Sequence, residues 1–392
     1  MFNWIKRSCV SFLFATALAC QAPPIAPPDS HQIPSSAGLD ARIETLMARE
    51  DVKGLAVAII EGDRIRHSRA YGVRNVEKDL PLESNTIMYG ASLTKAAFGY
   101  MVLQLVDEGR LDLDRTIDSY LPKPLPDYPW WQSLQDDPEW RSLTPRLLLS
   151  HTSGLNNLRY FEPNRDLRFH FKPGAAYAYS GEGINILQAV LEEGLGLDVK
   201  QEMRKRMFDP FGMPNTSLQW REDFADNLAD GYAMDGSFEP HDERSNVSAS
   251  GSMDTTIADQ ALLWRGMLRG DGLSDQMRAE WVSPQFTIET VQKFPTIPMH
   301  DTRTDRAQPI QLAAGLGLIT WHSSNGRYFA KGGHNDWTGN LVICQEVEAR
   351  CLVMLANSVR AEIIFPEIAE YVLGETGYPW WWVYPSLHDD RP

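Results

Sequence analysis

Four residues in this chain have the types and spacing needed for acyl transfer. Ser92-Leu93-Thr94-Lys95 is an S-x-x-K tetrad at the start of a strongly helical stretch. Positions i and i+3 share a helix face, so the Lys95 amine can reach the Ser92 hydroxyl. Serine is a poor nucleophile until a base takes its proton, and a helix N-terminus favours negative charge beside it. Alone the tetrad says little, because a surface serine and lysine on an ordinary helix would look the same. Two further pieces add to it. Tyr177-Ala178-Tyr179-Ser180-Gly181 follows Phe171-Lys172-Pro173-Gly174, and Lys331-Gly332-Gly333-His334 ends a predicted strand. A tyrosine facing a Ser-Lys pair can act as a general base if nearby ammonium groups stabilise its phenolate. Glycines after Lys331 let a strand edge approach a substrate, with backbone N–H groups free to hold an oxyanion. Singly, Tyr179 reads as a core aromatic and Lys331 as a solvated strand end. Together, in this order, they are a specific signal.

The elements that must position these residues run as strands, then helices, then strands. Apolar residues recur at helical spacing over 40–49, and 55–61, Gly62-Asp63 and 64–73 read as strand, tight turn, strand. Residues 91–108 form a strong helix stopped by Gly109. The pattern predicts helices over 146–150, 183–194, 199–207 and 256–268, strands over 317–321, 327–331, 340–344 and 350–356, and a final helix over 363–373. This implies an α/β (α+β) architecture: one mainly antiparallel sheet built from both chain ends, covered by helices, with a helical lobe inserted over about 110–255. Two long loops, 122–138 and 285–308, read as lids, binding edges or mobile surface.

These motifs resemble the serine β-lactamase and penicillin-binding-protein-like superfamily, within it the class C-like branch. The likeness runs from about Leu39 to Gly374. It rests on Gly54-Leu55-Ala56-Val57-Ala58, the S-x-x-K helix, Asp107-Glu108-Gly109-Arg110-Leu111-Asp112-Leu113-Asp114, Leu148-Leu149-Ser150-His151-Thr152-Ser153-Gly154-Leu155 and Ala356-Asn357-Ser358. The His-Thr-Ser-Gly-Leu string is more characteristic than S-x-x-K. The resemblance implies a β-lactamase-like fold and particular roles. Ser92 would be the acylated nucleophile with Lys95 bonded to it. Tyr179, matching the first residue of a Y-x-N element, would be base and then acid. Lys331 matches the lysine of K-T-G. Backbone N–H groups of Ser92 and His334 would form the oxyanion hole, with Gly333 beside them, and His151 would organise its loop. No metal or organic cofactor is implied.

Two positions depart from that pattern. Gly181 stands where the β-lactamases carry Asn, and Gly332 replaces the Thr or Ser of K-T-G. Both changes remove directional hydrogen bonds to substrate, each worth about 0.5–1.5 kcal/mol. They lower the expectation of efficient β-lactam hydrolysis and leave Ser92, Lys95 and Tyr179 untouched. Trp337, just beyond the strand end, suggests an aromatic wall for an acyl pocket. The expected partner is therefore a small ester, amide or peptide-like molecule, hydrolysed by an esterase-type serine hydrolase. A β-lactamase or D,D-peptidase/D-aminopeptidase, and a non-catalytic binding protein on the same fold, are the alternatives.

Composition narrows the field. The 392 residues carry 52 Asp+Glu against 37 Lys+Arg, a net charge of −15, which argues against a nucleic-acid partner. Lys6 and Arg7, an apolar run over 10–18 and Ala17-Leu18-Ala19-Cys20 give the secretory layout, a signal peptide over 1–19. A cut before Cys20 would also expose a cysteine for lipid attachment, so a periplasmic enzyme, a membrane-anchored lipoprotein and a secreted one all fit. A Pro/Ser-rich linker over 20–38 then precedes the domain at 39–376, and 377–392 reads as a Trp/Pro-rich tail. Cys344 and Cys351 flank a predicted hairpin turn whose even length sets them opposite each other. An exported compartment permits the disulfide; two buried thiols are the other reading.

Overall fold

The computed structural model describes Met1 and residues 31–294 and 297–388. The signal peptide, the linker through residue 30 and Cys20 lie outside the described residues. Helix α1 (Ser36–Glu50) starts within the stretch read as linker, because Ser35 caps it through the Gly38 N–H. Strands β1 (Gly54–Glu61), β2 (Arg64–Asn75) and β3 (Leu80–Pro81) follow. Helix α2 (Leu93–Asp107) is next, then the inserted lobe, which includes α3 (Pro145–Leu149) and α4 (Gly181–Ala189). After α5 (Ile257–Arg269) the chain returns to the sheet. It adds β4 (Phe286–Thr287), β5 (Ala313–Ala314), β6 (Ile319–Ser323), β7 (Gly326–Asn335), β8 (Thr338–Gln345) and β9 (Arg350–Ala356). Helices α6 (Ala361–Leu373) and α7 (Trp380–Val383) close it.

These nine strands form one sheet in the order β3-β2-β1-β9-β8-β7-β6-β5-β4, every neighbouring pair antiparallel. Strands from both chain ends meet at β1 and β9, as the sequence pattern predicts. Burial explains why β1 lacks polar alternation. Ala56, Ala58 and Ile60 face α2 and the lobe, while Leu55, Val57 and Ile59 face α1 and α6. A strand covered on both faces reads as a continuous apolar run.

Five stretches depart from expectation. Strand β7 runs on through Lys331-Gly332-Gly333-His334 to Asn335, since β8 pairs with it along that length and outweighs the glycines' weak strand preference. The 122–138 stretch is a chain of short 3-10 turns whose Leu125, Trp131 and Leu134 are buried, so it is packed structure rather than a loose lid. The long helices expected over 183–194 and 199–207 each widen into a π-type turn, at Val190–Gly194 and Arg204–Phe208. Finally, the tail belongs to the core: Tyr378, Trp380, Trp381, Trp382 and Tyr384 are all buried with α6. Its aromatic content is packing area, so the domain extends beyond 376. Cys344 and Cys351 are opposite each other on β8 and β9 and are joined as a disulfide.

Candidate active site

Ser92 opens α2 from a constrained turn. Ala91 before it has a left-handed φ of 46°, and Gly90 is tied to Met253 by its N–H. A serine at this position usually caps the helix with its side chain, but Ser92 makes no such bond. Its hydroxyl instead accepts from Lys95 Nζ at 3.0 Å, and Lys95 also donates to the Ser250 carbonyl. Helix α2 is buried on nearly all sides, which puts Lys95 at only 3% exposure. Burial, reinforced by the ammonium of Lys293, pushes the Lys95 amine down to about 7.

Tyr179 is delivered by the segment leading into α4. Ser180 caps that helix through the Gly183 N–H and donates its hydroxyl to the Asn156 carbonyl. The His-Thr-Ser-Gly-Leu loop holds this segment from below. His151, in a left-handed conformation at φ 57°, accepts the Ser180 N–H on Nδ1, receives the Ala178 N–H on its carbonyl, and tilts its ring against Tyr179 at 4.4 Å. Burial and three nearby lysines keep that imidazole well below its ordinary range, so it is neutral. Its ring nitrogen therefore organises the loop.

Lys331 Nζ donates to the Tyr179 phenol at 3.0 Å, and Ser92 is within hydrogen-bond reach of the same oxygen. The hydroxyl, both lysine amines and the phenol thus converge. Desolvation dominates the balance of charge among them. It pushes the Tyr179 phenol up, opposed in part by the Ser92 hydrogen bond, and drives Lys331 well down with help from Lys293 and Lys95. The phenol keeps its proton at neutral pH, and Lys95 is the group whose proton is easily exchanged.

Beyond Ala330, β7 has no strand partner on its β6 side and runs against the start of α2. Gly333 is the point of closest approach: a Cβ there would lie 2.5 Å from the Gly90 carbonyl and 3.2 Å from the Ser92 nitrogen. The His334 side chain turns away to Glu362 on α6, Nδ1 to Oε1 at 2.8 Å. Partial desolvation disfavours the charge of this half-exposed imidazole, but the Glu362 carboxylate outweighs it and raises the imidazole. Asn340 on β8 donates to the Tyr89 carbonyl, tying this part of the sheet to the turn that carries Ser92.

Two sequence expectations change here. Trp337 lies in the turn between β7 and β8, its Cβ crowding Gly231, and does not line the cavity beside Tyr179. That cavity is lined by His151, Tyr177, Tyr179, Lys293, Lys331 and Tyr378, among others. The residue missed is Lys293, from the 285–308 loop. Its Nζ is 5.2 Å from the Tyr179 ring centre, the same distance as Lys331 and close to the 5.1 Å of Lys95. Only the reading of its loop as a binding edge pointed there. Gly181 also has a local explanation: a Cβ would meet the Asn157 carbonyl at 2.8 Å and its side-chain oxygen at 3.0 Å, so Asn157 fills the space.

Known proteins resemble this chain in sequence and in fold. The Beta-lactamase family model matches residues 39–371. Protein flp of Staphylococcus aureus (strain MRSA252) is 23% identical over 214 residues, covering 51% of this chain and 41% of that protein. Penicillin-binding protein 4* of Bacillus subtilis (strain 168) is 26% identical over 219 residues, covering 50% and 45%. The chain thus spans less than half the length of these relatives. Among solved structures, the octameric penicillin-binding protein homologue from Pyrococcus abyssi superposes with a TM-score of 0.69 at 19% identity, over 88% of this chain and 78% of that one. The D-alanine carboxypeptidase AmpC from Burkholderia cenocepacia gives 0.67 at 18%, over 86% and 98%. The fold is therefore β-lactamase-like, and with its model matching from α1 to α6, the chain belongs to the Beta-lactamase family.

Proposed function

We propose that this protein is a serine hydrolase that cleaves a small ester or amide through an acyl-enzyme on Ser92. The observation that carries the reading is the continuous contact from Lys95 through Ser92 to Tyr179 and Lys331 in one buried site. Neutral Lys95 takes the Ser92 proton as Oγ attacks the substrate carbonyl. The oxyanion is held by the Ser92 and His334 N–H groups, and no side chain has to reorganise to hold it. The Tyr179 phenol, still protonated, gives its proton to the leaving group as the carbon–heteroatom bond breaks. It recovers a proton from the Lys95 ammonium. Water then attacks the acyl-enzyme, giving one proton to the same relay, and Ser92 leaves with a proton returned to it.

Cell-wall-type D-alanyl peptides are the second reading, favoured by the fold shared with a D-alanine carboxypeptidase. A fluorophosphonate probe tests both. Intact-mass analysis is expected to show one adduct per chain, mapped to Ser92 and absent in Ser92→Ala. Labelling elsewhere, or none, would sink the hydrolase reading. Nitrocefin turnover at rates typical of good β-lactamases would instead move the substrate assignment to β-lactams.

A further inference from the structure

The aromatic wall that Trp337 does not supply is built from two other stretches. Phe161, from the lobe, and Phe294, from the 285–308 loop, bring their rings to 5.7 Å at an interplanar angle of 55°. Both stretches reach Tyr179. Phe294 directly follows Lys293, which lines the cavity beside Tyr179. From the lobe, the Asn157 side chain accepts the Gly181 N–H and Arg159 pairs with Glu182, just beyond Tyr179 in the chain. A second ring contact, Phe171 on His300 at 5.0 Å, joins the same two stretches.

Phe161 is held on both flanks. Arg159 donates to Glu182 through its backbone N–H and its guanidinium. The buried carboxylate of Glu162 accepts from Asn156 and Arg168 and bonds the His170 ring at 2.6 Å. Even so, the Phe161 side is left 53% exposed and Phe294 40%. Exposed hydrophobics scattered singly need no explanation, but two rings that meet on an anchored segment at the edge of a reactive site form a recognition surface. The cavity beside Tyr179 encloses about 270 Å³. That is less than the roughly 300–1,000 Å³ of sites that engulf a ligand, which leaves the remainder of a substrate to the rim.

We propose that Phe161 and Phe294 bind an aromatic group on the departing half of the substrate, which covers the ring surface these two leave open. This rests on the acyl-transfer reading of the same site, in which Tyr179 gives its proton to the leaving alcohol or amine, and Phe294 lies on the loop whose Lys293 meets the Tyr179 ring. A ring fits this surface better than an alkyl chain, because offset and edge-to-face contacts between aromatic groups add to the gain from buried area.

Two acetate esters test it, 2-phenoxyethyl acetate and 2-methoxyethyl acetate, whose departing alcohols differ only in a ring replaced by a methyl group away from the reacting oxygen. The wild-type protein should favour the phenoxyethyl ester by about tenfold in kcat/KM, the scale of one aromatic contact with its buried area. Phe161→Ala and Phe294→Ala should each bring that preference under about 3-fold, mainly by slowing the phenoxyethyl ester, whereas Phe294→Tyr keeps the ring and should retain most of it. No wild-type preference, or equal loss on both esters in the alanine variants, would overturn the assignment. Fluorophosphonate labelling of Ser92 decides the hydrolase reading separately. If neither ester is hydrolysed, saturation-transfer NMR of the phenoxyethyl ester on Ser92→Ala reads the same contact without turnover. Saturation of its ring protons, lost when Phe161→Ala is added, would support the aromatic site; no saturation, or saturation unchanged by that substitution, would reject it.

Discussion

Lys95 and Tyr179 both carry a dissociable proton, and their environments push them in opposite directions: burial lowers the amine to about 7 and raises the phenol. Only the amine is then available as a base near neutrality. The acylation rate should climb with pH through about 7 as Lys95 loses its proton, falling about tenfold per unit on the acid side. Stopped-flow labelling of Ser92 between pH 5 and 9 measures this limb, and a flat profile would remove Lys95 as the base. Lys95→Arg, which stays charged, should cost about 10²–10⁴-fold. Because the Lys293 charge helps depress Lys95, Lys293→Gln should also move the limb to higher pH. At this scale the sequence was partly legible. Ser92, Lys95, Tyr179 and Lys331 announce themselves by motif, because short fixed spacings and local turns place them. Lys293 could not be read, since the loop around it has no periodic pattern and its place is set by contact with Trp382, far along the chain. Nor could the opposite shifts of the Lys95 amine and the Tyr179 phenol, which depend on how much water the folded site excludes.

Strand β7 and helix α2 form the site by touching, and Gly333 is where they touch. Gly333→Ala would force its methyl to within 2.5 Å of the Gly90 carbonyl, and backbone on both sides can yield only by separating strand from helix. The expected cost is about 1–3 kcal/mol in stability, with at least a tenfold loss of acylation as the oxyanion donors move apart. Unchanged urea midpoint and labelling rate would mean the contact is looser than described. Gly181→Asn makes a related point. Restoring the asparagine of Y-x-N should not restore that residue's function, because its Cβ meets the Asn157 backbone and side chain first. We expect lower stability without gain in nitrocefin turnover; a stable variant with a large gain would show that Asn157 yields. The elements themselves were mostly foreseen. Periodicity found α2 and the central strands because both buried faces of β1 are apolar. It stopped β7 at Lys331, because pairing with β8 cannot be seen from glycine-rich residues alone.

For the molecule as a whole, the two hydrophobic layers are unequal in how they are closed. The layer facing the lobe is closed by α2, α5 and the lobe, whereas the layer beneath α1 and α6 is completed by the last aromatic residues of the described chain. Trp382 is fully buried there, its ring 5.7 Å from Tyr177, while its carbonyl holds Lys293. A stretch that reads from composition as a tail therefore closes the core behind Tyr177 and Tyr179. Trp382→Ala should cost about 3–5 kcal/mol, the range for deleting a buried aromatic, and should loosen the seat of Lys293 as its layer relaxes. Trp130, 68% exposed on the lobe, is the control: the same truncation there should cost well under that, within about 1 kcal/mol. Urea denaturation of the two variants gives the comparison directly. Equal, small shifts in midpoint would mean that the aromatic segment merely lies on the domain and that 377–392 is a tail after all. A large shift for Trp382→Ala alone, together with slower fluorophosphonate labelling of Ser92, would tie these last described residues to the site they support.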